Sequence, residues 1–242
     1  MRETVLPEVL FAILTAVAYF AGKYIYKKIN LVFLHSVITA TALVVLFCYL
    51  ADIDMKYYEE HTKGLRYLLN LSVVAFGYLL YKHYEYIRQK GAAIFAATFT
   101  GSLAALVTTA VPAFILGADY QTIITLMPKS VTNPIAIVIS EQHGGLVYLT
   151  AVMVIIAGIF GAVTGPWFLK LTGINSPLAK GLSLGSASHG IGTAKALEMG
   201  ALEGAAGGLA IALMGLFSSL LVPLFAMLLR LLKDASLLPL WQ

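Results

Sequence analysis

Residues 121–145 read QTIITLMPKSVTNPIAIVISEQHGG, and residues 176–204 read SPLAKGLSLGSASHGIGTAKALEMGALEG. Each stretch is long enough to enter a bilayer, and each is interrupted by proline or glycine beside polar side chains. Irregular backbone at membrane depth is tolerated only where it is buried in protein or faces a water-filled cavity. We therefore expect two broken or re-entrant segments, which are the best sequence indicator of a carrier's substrate site.

The rest of the chain is apolar enough to surround these segments with spanning helices. Of 242 residues, 60% are apolar and 12% are charged, whereas a soluble domain carries about 25% charged residues. The predicted fold class is an all-α polytopic membrane protein with about six full spanning helices and two broken or re-entrant segments. The bundle they form would resemble that of an inverted-repeat transporter. The six apolar stretches that qualify as spans are residues 5–22, 31–50, 65–81, 91–117, 146–169 and 204–232.

Short loops connect all of these stretches, which predicts a single integral membrane domain over residues 1–242. Its N-terminal helices occupy residues 1–90, and the broken segments lie in residues 91–242. The lysines and arginines form short clusters between spans, as residues that face lipid headgroups do, and this pattern argues against nucleic-acid binding. The clusters at 23–28 and 82–90 favour a cytoplasmic side for those loops and an outside N-terminus.

Cys48 is the only cysteine, which excludes an internal disulfide or a cysteine-based metal cluster. It falls in the middle of a predicted span, where we expect it to act as a small apolar filler. We expect no metal and no cofactor.

In the first segment, two prolines of the run Met127–Pro134 bracket a lysine, two hydroxyls and an amide. The second proline suits the first turn of a following helix, with Thr132 or Asn133 at the N-cap. A helix N-terminus inside the membrane attracts anions, and Lys129 and Ser130 add a full charge and a neutral donor. The alternative is a water-facing loop with a snorkelling lysine. The short apolar flanks favour the broken element.

The second segment has three glycines among several polar side chains between Gly185 and Lys195. Glycine lets the backbone approach a ligand closely or leave helical geometry cheaply. His189 and Thr193 could bind a carboxylate, and a histidine also titrates near neutrality and could carry a coupled proton. The alternative for His189 is a hydrogen-bonded packing residue.

Two acidic residues, Glu141 and Glu198, each follow one of the breaks. They are either coupling residues, because intramembrane carboxylates usually mark function, or interface residues paired with Lys129 and Lys195. We predict that the two segments meet near the bilayer midplane and hold one carboxylate. The predicted substrate-binding residues are Lys129, Ser130, Thr132, Asn133, Ser188, His189, Thr193 and Lys195, with Glu141 and Glu198 as candidates for coupling to H⁺ or Na⁺.

Other motifs point to packing rather than chemistry. Gly181–Gly185 matches the G-x-S-x-G pattern of serine hydrolases, but that elbow requires a strand, turn and helix in an α/β sheet. We therefore expect no enzyme. Gly161–Gly165 and Gly204–Gly208 match the small-xxx-small pattern, which predicts close helix packing.

The runs MPKSVTNPIAIVISEQHGG, GIFGAVTGP and GLSLGSASHGIGTAKALEMGALEGAAGGLA closely resemble the LrgB/CidB family. The resemblance covers essentially the whole chain and is most specific over residues 126–215. It implies a bacterial inner-membrane, multi-pass protein with one of two functions. One is a carrier of small carboxylates such as glycolate, glycerate or pyruvate, working with a small LrgA/CidA-like membrane partner or as a homo-oligomer. The alternative is an antiholin-like regulator of murein hydrolase export and autolysis, acting with a holin-like partner.

The N-terminal half departs from the family pattern. His35 and Ser36 stand where such proteins usually carry Asn-Pro, and Leu71 and Leu80 stand where they carry proline. The loss of these prolines predicts more regular helices in the second and third spans. Whether substrate choice or transport changes with them is left open.

Overall fold

The structure is a computed structural model that describes residues 2–29, 36–65, 67–68, 71, 78 and 81–234. The chain forms two compact units, Met1–Ala75 and Phe76–Gln242. The single-domain assignment and its boundary at residue 90 stay predictions. The described part contains helices and no strand. Its helices, in chain order, are α1 (Arg2–Ile29), α2 (Ser36–Leu50), α3 (Met55–Glu60), α4 (Tyr84–Gln89), α5 (Gly91–Ile115), α6 (Tyr120–Leu126), a 3-10 turn (Met127–Ser130), α7 (Asn133–Gln142), α8 (Val147–Leu171), α9 (Pro177–Met199) and α10 (Ala201–Asp234).

Four of these helices are long and apolar enough to cross a membrane: Leu6–Ile29, Gly91–Ile115, Val147–Leu171 and Ala201–Leu231. Large apolar side chains cover their outer surfaces, which lipid solvates and water does not. The multi-pass membrane class is therefore confirmed, whereas the count of six spans is not. In the second predicted span the described apolar helix is the shorter Ile38–Leu50.

The predicted third span, residues 65–81, lies mostly outside the described residues, as do His35 and Leu80. Of the other departures from the family pattern, Ser36 begins α2 and Leu71 is helical. Helix α2 runs without interruption to Leu50, which agrees with the regular helix expected of a segment without proline.

In the first unit, α1 and α2 pack through small residues. Ala18, Ala40, Val44 and Cys48 form one buried cluster, and the side chain of Cys48 is only 1% exposed. A Cβ atom at Gly22 would collide with the backbone of α2, so the glycine lets these two helices approach closely. The cysteine fills space in this apolar contact, as the sequence predicts.

Residues 120–142 form a helical hairpin, here called hairpin 1. Asp119 caps α6 through Thr122 N–H at 2.8 Å, and the helix gives way to a 3-10 turn and then to extended backbone at Val131. The Gln121 side-chain amide donates to the Gly144 carbonyl at 3.0 Å. The segment therefore starts and ends at the same end of the unit. Its arms of 7 and 10 residues are far shorter than the roughly 20 residues of a full span.

Helix α9 is also a hairpin, here called hairpin 2, because its helical geometry fails at Ser188 and His189. Leu184 and Ala196 pack in one buried cluster with Leu169. In a straight helix residues twelve apart would be about 18 Å from each other, so the second arm folds back on the first. His189 has φ 42° and ψ −131°, a conformation that is almost restricted to glycine.

The two hairpins are rooted at opposite ends of α8. Near its first turn, the Thr150 hydroxyl donates to the Thr125 carbonyl of hairpin 1 at 3.0 Å. Near its last turn, Leu169 packs with Leu184 of hairpin 2. Helix α8 has 25 residues, which makes it about 37 Å long.

The tips of both hairpins meet α8 near Val154, in the first half of this helix. Val131, at the tip of hairpin 1, packs in one cluster with Val154 and Met214. The His189 ring Nε2, at the tip of hairpin 2, donates to the Val154 carbonyl at 2.9 Å. The unit therefore alternates three long helices with two re-entrant hairpins that approach each other from opposite ends.

Glycines let hairpin 2 sit close to its neighbours. A Cβ atom at Gly158 or Gly161 of α8 would collide with the side chains of His189 or Ser188. On the other side, a Cβ atom at Gly185 would lie 2.5 Å from the Gly207 carbonyl oxygen of α10. The close packing expected from the two small-xxx-small motifs is therefore present around hairpin 2.

Candidate functional site

A pocket of about 410 Å³ lies where hairpin 1 meets hairpin 2 and α5. Hairpin 1 contributes two residues of its 3-10 turn, and hairpin 2 contributes residues of its first arm just before the break. The two broken segments therefore come together, as the sequence analysis expected. The lining residues are Ala97, Thr98, Gly101, Ala104, Ala105, Thr108, Lys129, Ser130, Leu182, Ser183, Ser186 and Ala187.

The pocket lies beside the middle of the apolar span α5. Its wall on this helix runs from Ala97 to Thr108, which is the middle of the 25 residues Gly91–Ile115. The pocket is larger than one water molecule needs and falls in the size range of small-molecule sites.

Lys129 gives this pocket a positive charge. The lining residues include no acidic side chain. Among the residues that the structure describes, Lys129 makes no ion pair or hydrogen bond, and its side chain is half-buried. Because an unpaired charge at this depth is expensive, the pocket favours an anion or water beside the ammonium group.

Three serines supply neutral donors around that charge. The hydroxyls of Ser130, Ser183 and Ser186 have no hydrogen-bond partner within the described ranges. Thr98 and Thr108 differ, because their hydroxyls donate to the Ile94 and Ala104 carbonyls of their own helix at 2.7 Å. A hydroxyl has one hydrogen to donate. The free donors for an anion are therefore Lys129 and the three serines.

Three of the predicted binding residues, Ser188, His189 and Thr193, are buried in helix packing and do not line the pocket. Ser188 lies against Gly161 and Thr193 against Gly207, and both hydroxyls are buried without a partner among the residues that the structure describes. The imidazole of His189 is a hydrogen-bonded packing group, which matches the alternative given for it above. Binding of substrate by these three residues stays a prediction.

Thr132 and Asn133 follow the pocket residues of hairpin 1 without lining it. Thr132 is the N-cap of α7, as predicted, but its side chain makes no capping hydrogen bond. The Asn133 side-chain oxygen is buried and has no partner. The start of α7 thus has an unused acceptor as well as unpaired backbone donors.

The remaining predicted residues lie at the surface of the unit. Lys195 pairs with Glu198 at 2.8 Å, which matches the interface alternative for that carboxylate. Glu141 is exposed, and the alternative pairing with Lys129 is absent from the described residues. No group of three or more potential metal ligands occurs among the described residues.

Sequence reasoning missed Ser183 and Ser186. Ser183 drew notice only as the centre of a discounted hydrolase motif. The available signal was their spacing of three residues, which places both hydroxyls on one side of a helix.

Comparison with known proteins agrees with the resemblance found in the sequence. A model of the LrgB-like family matches residues 15–228. "Uncharacterized protein YxaC" of Bacillus subtilis is 35% identical over 216 residues, which cover 89% of this chain and 94% of that protein.

Two further relatives are both called "Holin-like protein CidB". The one from Staphylococcus epidermidis is 32% identical over 223 residues, covering 92% of this chain and 97% of that protein. The one from Staphylococcus aureus is 32% identical over 219 residues, covering 90% and 96%. No solved structure matches the chain at a significant level. The chain therefore belongs to the LrgB-like family.

Proposed function

We propose that this protein is a membrane carrier for small organic anions, with short carboxylates such as glycolate, glycerate or pyruvate as substrates. The observation that carries the proposal is the pocket at mid-membrane depth, in which Lys129 has no acidic neighbour. The second candidate is an antiholin-like regulator of murein hydrolase export. The names of the relatives support this second function better than they support the carrier.

The charge on Lys129 favours a carrier because it requires compensation. A lysine at the centre of a bilayer helix costs about 2.5–3.5 kcal/mol. A carboxylate bound by Lys129 and by Ser130, Ser183 and Ser186 would replace the missing protein partner with charge-assisted hydrogen bonds. The absence of acidic side chains from the lining disfavours a cation as the transported species.

The hairpins favour alternating access. Many carriers are built from inverted repeats whose broken helices meet at a substrate site near the midplane. Here the two hairpins are rooted at opposite ends of α8, which is the arrangement that an inverted repeat would produce. Movement of one hairpin against the long helices would then open the pocket to each side in turn. Coupling to H⁺ or Na⁺ belongs to this proposal, with His189, Glu141 and Glu198 as its candidate groups.

The proposed setting is the bacterial inner membrane, with a small LrgA/CidA-like membrane protein or a second copy of this chain as partner. The family match and the bacterial relatives support this setting. The proposal includes no enzymatic step.

The regulator function is supported by the name of two relatives, "Holin-like protein CidB". A protein of this kind would act through its assembly in the membrane with a holin-like partner. Such a role needs no preformed anion pocket, so the two candidates differ in what they require of Lys129.

Uptake by proteoliposomes separates the two candidates. Purified full-length protein would be tested with labelled glycolate, glycerate and pyruvate, beside Lys129→Ala and the control Lys170→Ala, which removes an exposed charge that does not line the pocket. We expect Lys129→Ala to lose most uptake while Lys170→Ala retains it. If a folded Lys129→Ala protein takes up the acids as wild type does, the site is wrong. If no acid is taken up and deletion of the gene alters lysis, the regulator is the function.

A further inference from the structure

A second, mostly apolar groove of about 380 Å³ lies between α4, α5 and α10, apart from the anion pocket. Five of its lining residues are large apolar side chains, and a tyrosine and an arginine lie toward its α4 end. The lining residues are Tyr84, Ile87, Arg88, Gly91, Ile94, Phe95, Leu209 and Leu213. We propose that this groove binds one anionic phospholipid, with its phosphate on Arg88 and an acyl chain along the apolar floor.

The depth of the groove fits a lipid. Gly91 begins a membrane span, so Arg88 lies one helical turn outside the apolar layer, at the level of headgroups. Ile94 and Phe95 lie in the first turns of that span, and Leu209 and Leu213 lie in the first half of α10. The lining thus becomes purely apolar in the direction in which an acyl chain would run.

The charge at the mouth of the groove fits an anionic headgroup. Arg88 is exposed and makes no ion pair or hydrogen bond within the described ranges. Its guanidinium can donate two parallel hydrogen bonds to a phosphate, which a lysine cannot do. Tyr84 and Tyr86 are 52% and 41% exposed, and tyrosines at this depth are typical of the headgroup layer.

Further cations surround this end of the unit. Leu178 and Leu182 of hairpin 2 pack in one buried cluster with Ile87 and Ile94, which brings Lys180 to the same end as the groove. Basic clusters of this kind attract anionic lipid. The basic residues at this end of the unit are Lys82, Arg88, Lys90, Lys170 and Lys180, and they outnumber the acidic residues Glu85 and Glu203.

Lipid retention by the full-length protein tests the proposal without any measurement of transport, so its failure and that of the carrier are distinguishable. The protein would be purified from vesicles of equal phosphatidylglycerol and phosphatidylcholine, and the bound lipid measured by native mass spectrometry. Arg88→Gln is the test variant. Lys90→Gln is the matched control. It removes the same charge from a side chain that lies two residues after Arg88 and does not line the groove.

We expect wild type and Lys90→Gln to retain phosphatidylglycerol in preference to phosphatidylcholine. In Arg88→Gln the ratio of the two retained lipids should be about tenfold lower, because a charge-assisted hydrogen-bonded pair is lost. Leu213→Trp, which fills the floor, should reduce retention of both lipids. Equal preference in Arg88→Gln and Lys90→Gln would overturn the site, as would equal retention of the two lipids by wild type. The glutamine pair decides the question even if the tryptophan variant does not fold.

Discussion

Lys129 is the residue at which stability and binding should respond in opposite directions. Lys129→Met shortens the unbranched side chain by one atom and removes its charge. The residue is half-buried in a pocket without acidic neighbours. Full exposure of a lysine to the bilayer centre costs about 2.5–3.5 kcal/mol, and because this pocket admits water we expect relief of only about 1 kcal/mol. For a chain of this size that gain raises Tm by about 2–4 °C.

The same substitution should weaken binding. A hydrogen bond to a charged group contributes about 1.5–3 kcal/mol, and each 1.4 kcal/mol is a factor of ten in affinity. Loss of the ammonium group therefore predicts a KM for carboxylate uptake that rises roughly 10- to 100-fold. Removal of Lys129 would make the protein more stable and less active together, which a purely structural lysine would not do.

Thermal unfolding in detergent and uptake by proteoliposomes would be measured on the same preparations. Lys170→Met is the control, because Lys170 is exposed in the last turn of α8 and does not line the pocket. It should leave KM unchanged and should not raise Tm. A Lys129→Met protein with a lower Tm and an unchanged KM would refute the reasoning.

Three other pairs of substitutions test the packing and the lining. Gly161→Val should lower Tm, because its side chain would collide with Ser188 and overpacking costs about 1–3 kcal/mol. The control Gly101→Ala should leave Tm unchanged, because a Cβ atom at this position meets nothing within 4 Å. In thermal unfolding, His189→Gly should be more stable than His189→Ala by about 1–3 kcal/mol, because glycine relieves the strained backbone. If His189→Ala were the more stable variant, as it would be in a regular helix, the break at this residue would be contradicted. In uptake assays Ser186→Ala should raise KM and Ser188→Ala should not, since only Ser186 lines the pocket, and the reverse order would favour the original assignment.

Much of the fold could be read from composition and from the positions of proline and glycine. The two broken segments were predictable because a run such as Met127–Pro134 can neither continue a helix nor lie exposed to lipid. Whether each segment crosses the membrane or turns back was not predictable. That outcome depends on contacts distant in sequence, such as the bond from Gln121 to the Gly144 carbonyl.

The site was half predictable, and the missing half has a geometric cause. Lys129 and Ser130 lie at a turn, where side-chain direction follows from the break itself. In the first arm of hairpin 2 the direction depends on which side of the helix packs. Gly181 and Gly185 face the backbone of α10. At about 100° per residue, Ser183 and Ser186 point roughly 150° away from the mean direction of those glycines.

The glycines therefore determine which polar residues face the pocket. From sequence alone, the Gly-rich run after residue 185 is expected to face the ligand, because glycine permits close approach of a ligand. In the structure the same property serves approach of another helix, as when Gly207 receives Thr193 and Gly161 receives Ser188. A rule that assigns glycines to packing, and the opposite side of the helix to the ligand, would have selected Ser183 and Ser186.

The tip of hairpin 2 has an energetic cost that packing alone does not explain. The backbone at His189 is strained by about 1–3 kcal/mol, and the buried hydroxyls of Ser188 and Thr193 each lack a partner, at about 1–3 kcal/mol per group. The bond from His189 to the Val154 carbonyl offsets only about 0.5–1.5 kcal/mol of this. A continuous helix would avoid the backbone strain. The strained residue lies two positions beyond the pocket wall at Ala187, so in the proposed carrier an alternative packing of this tip would be the step that opens the pocket to the other side.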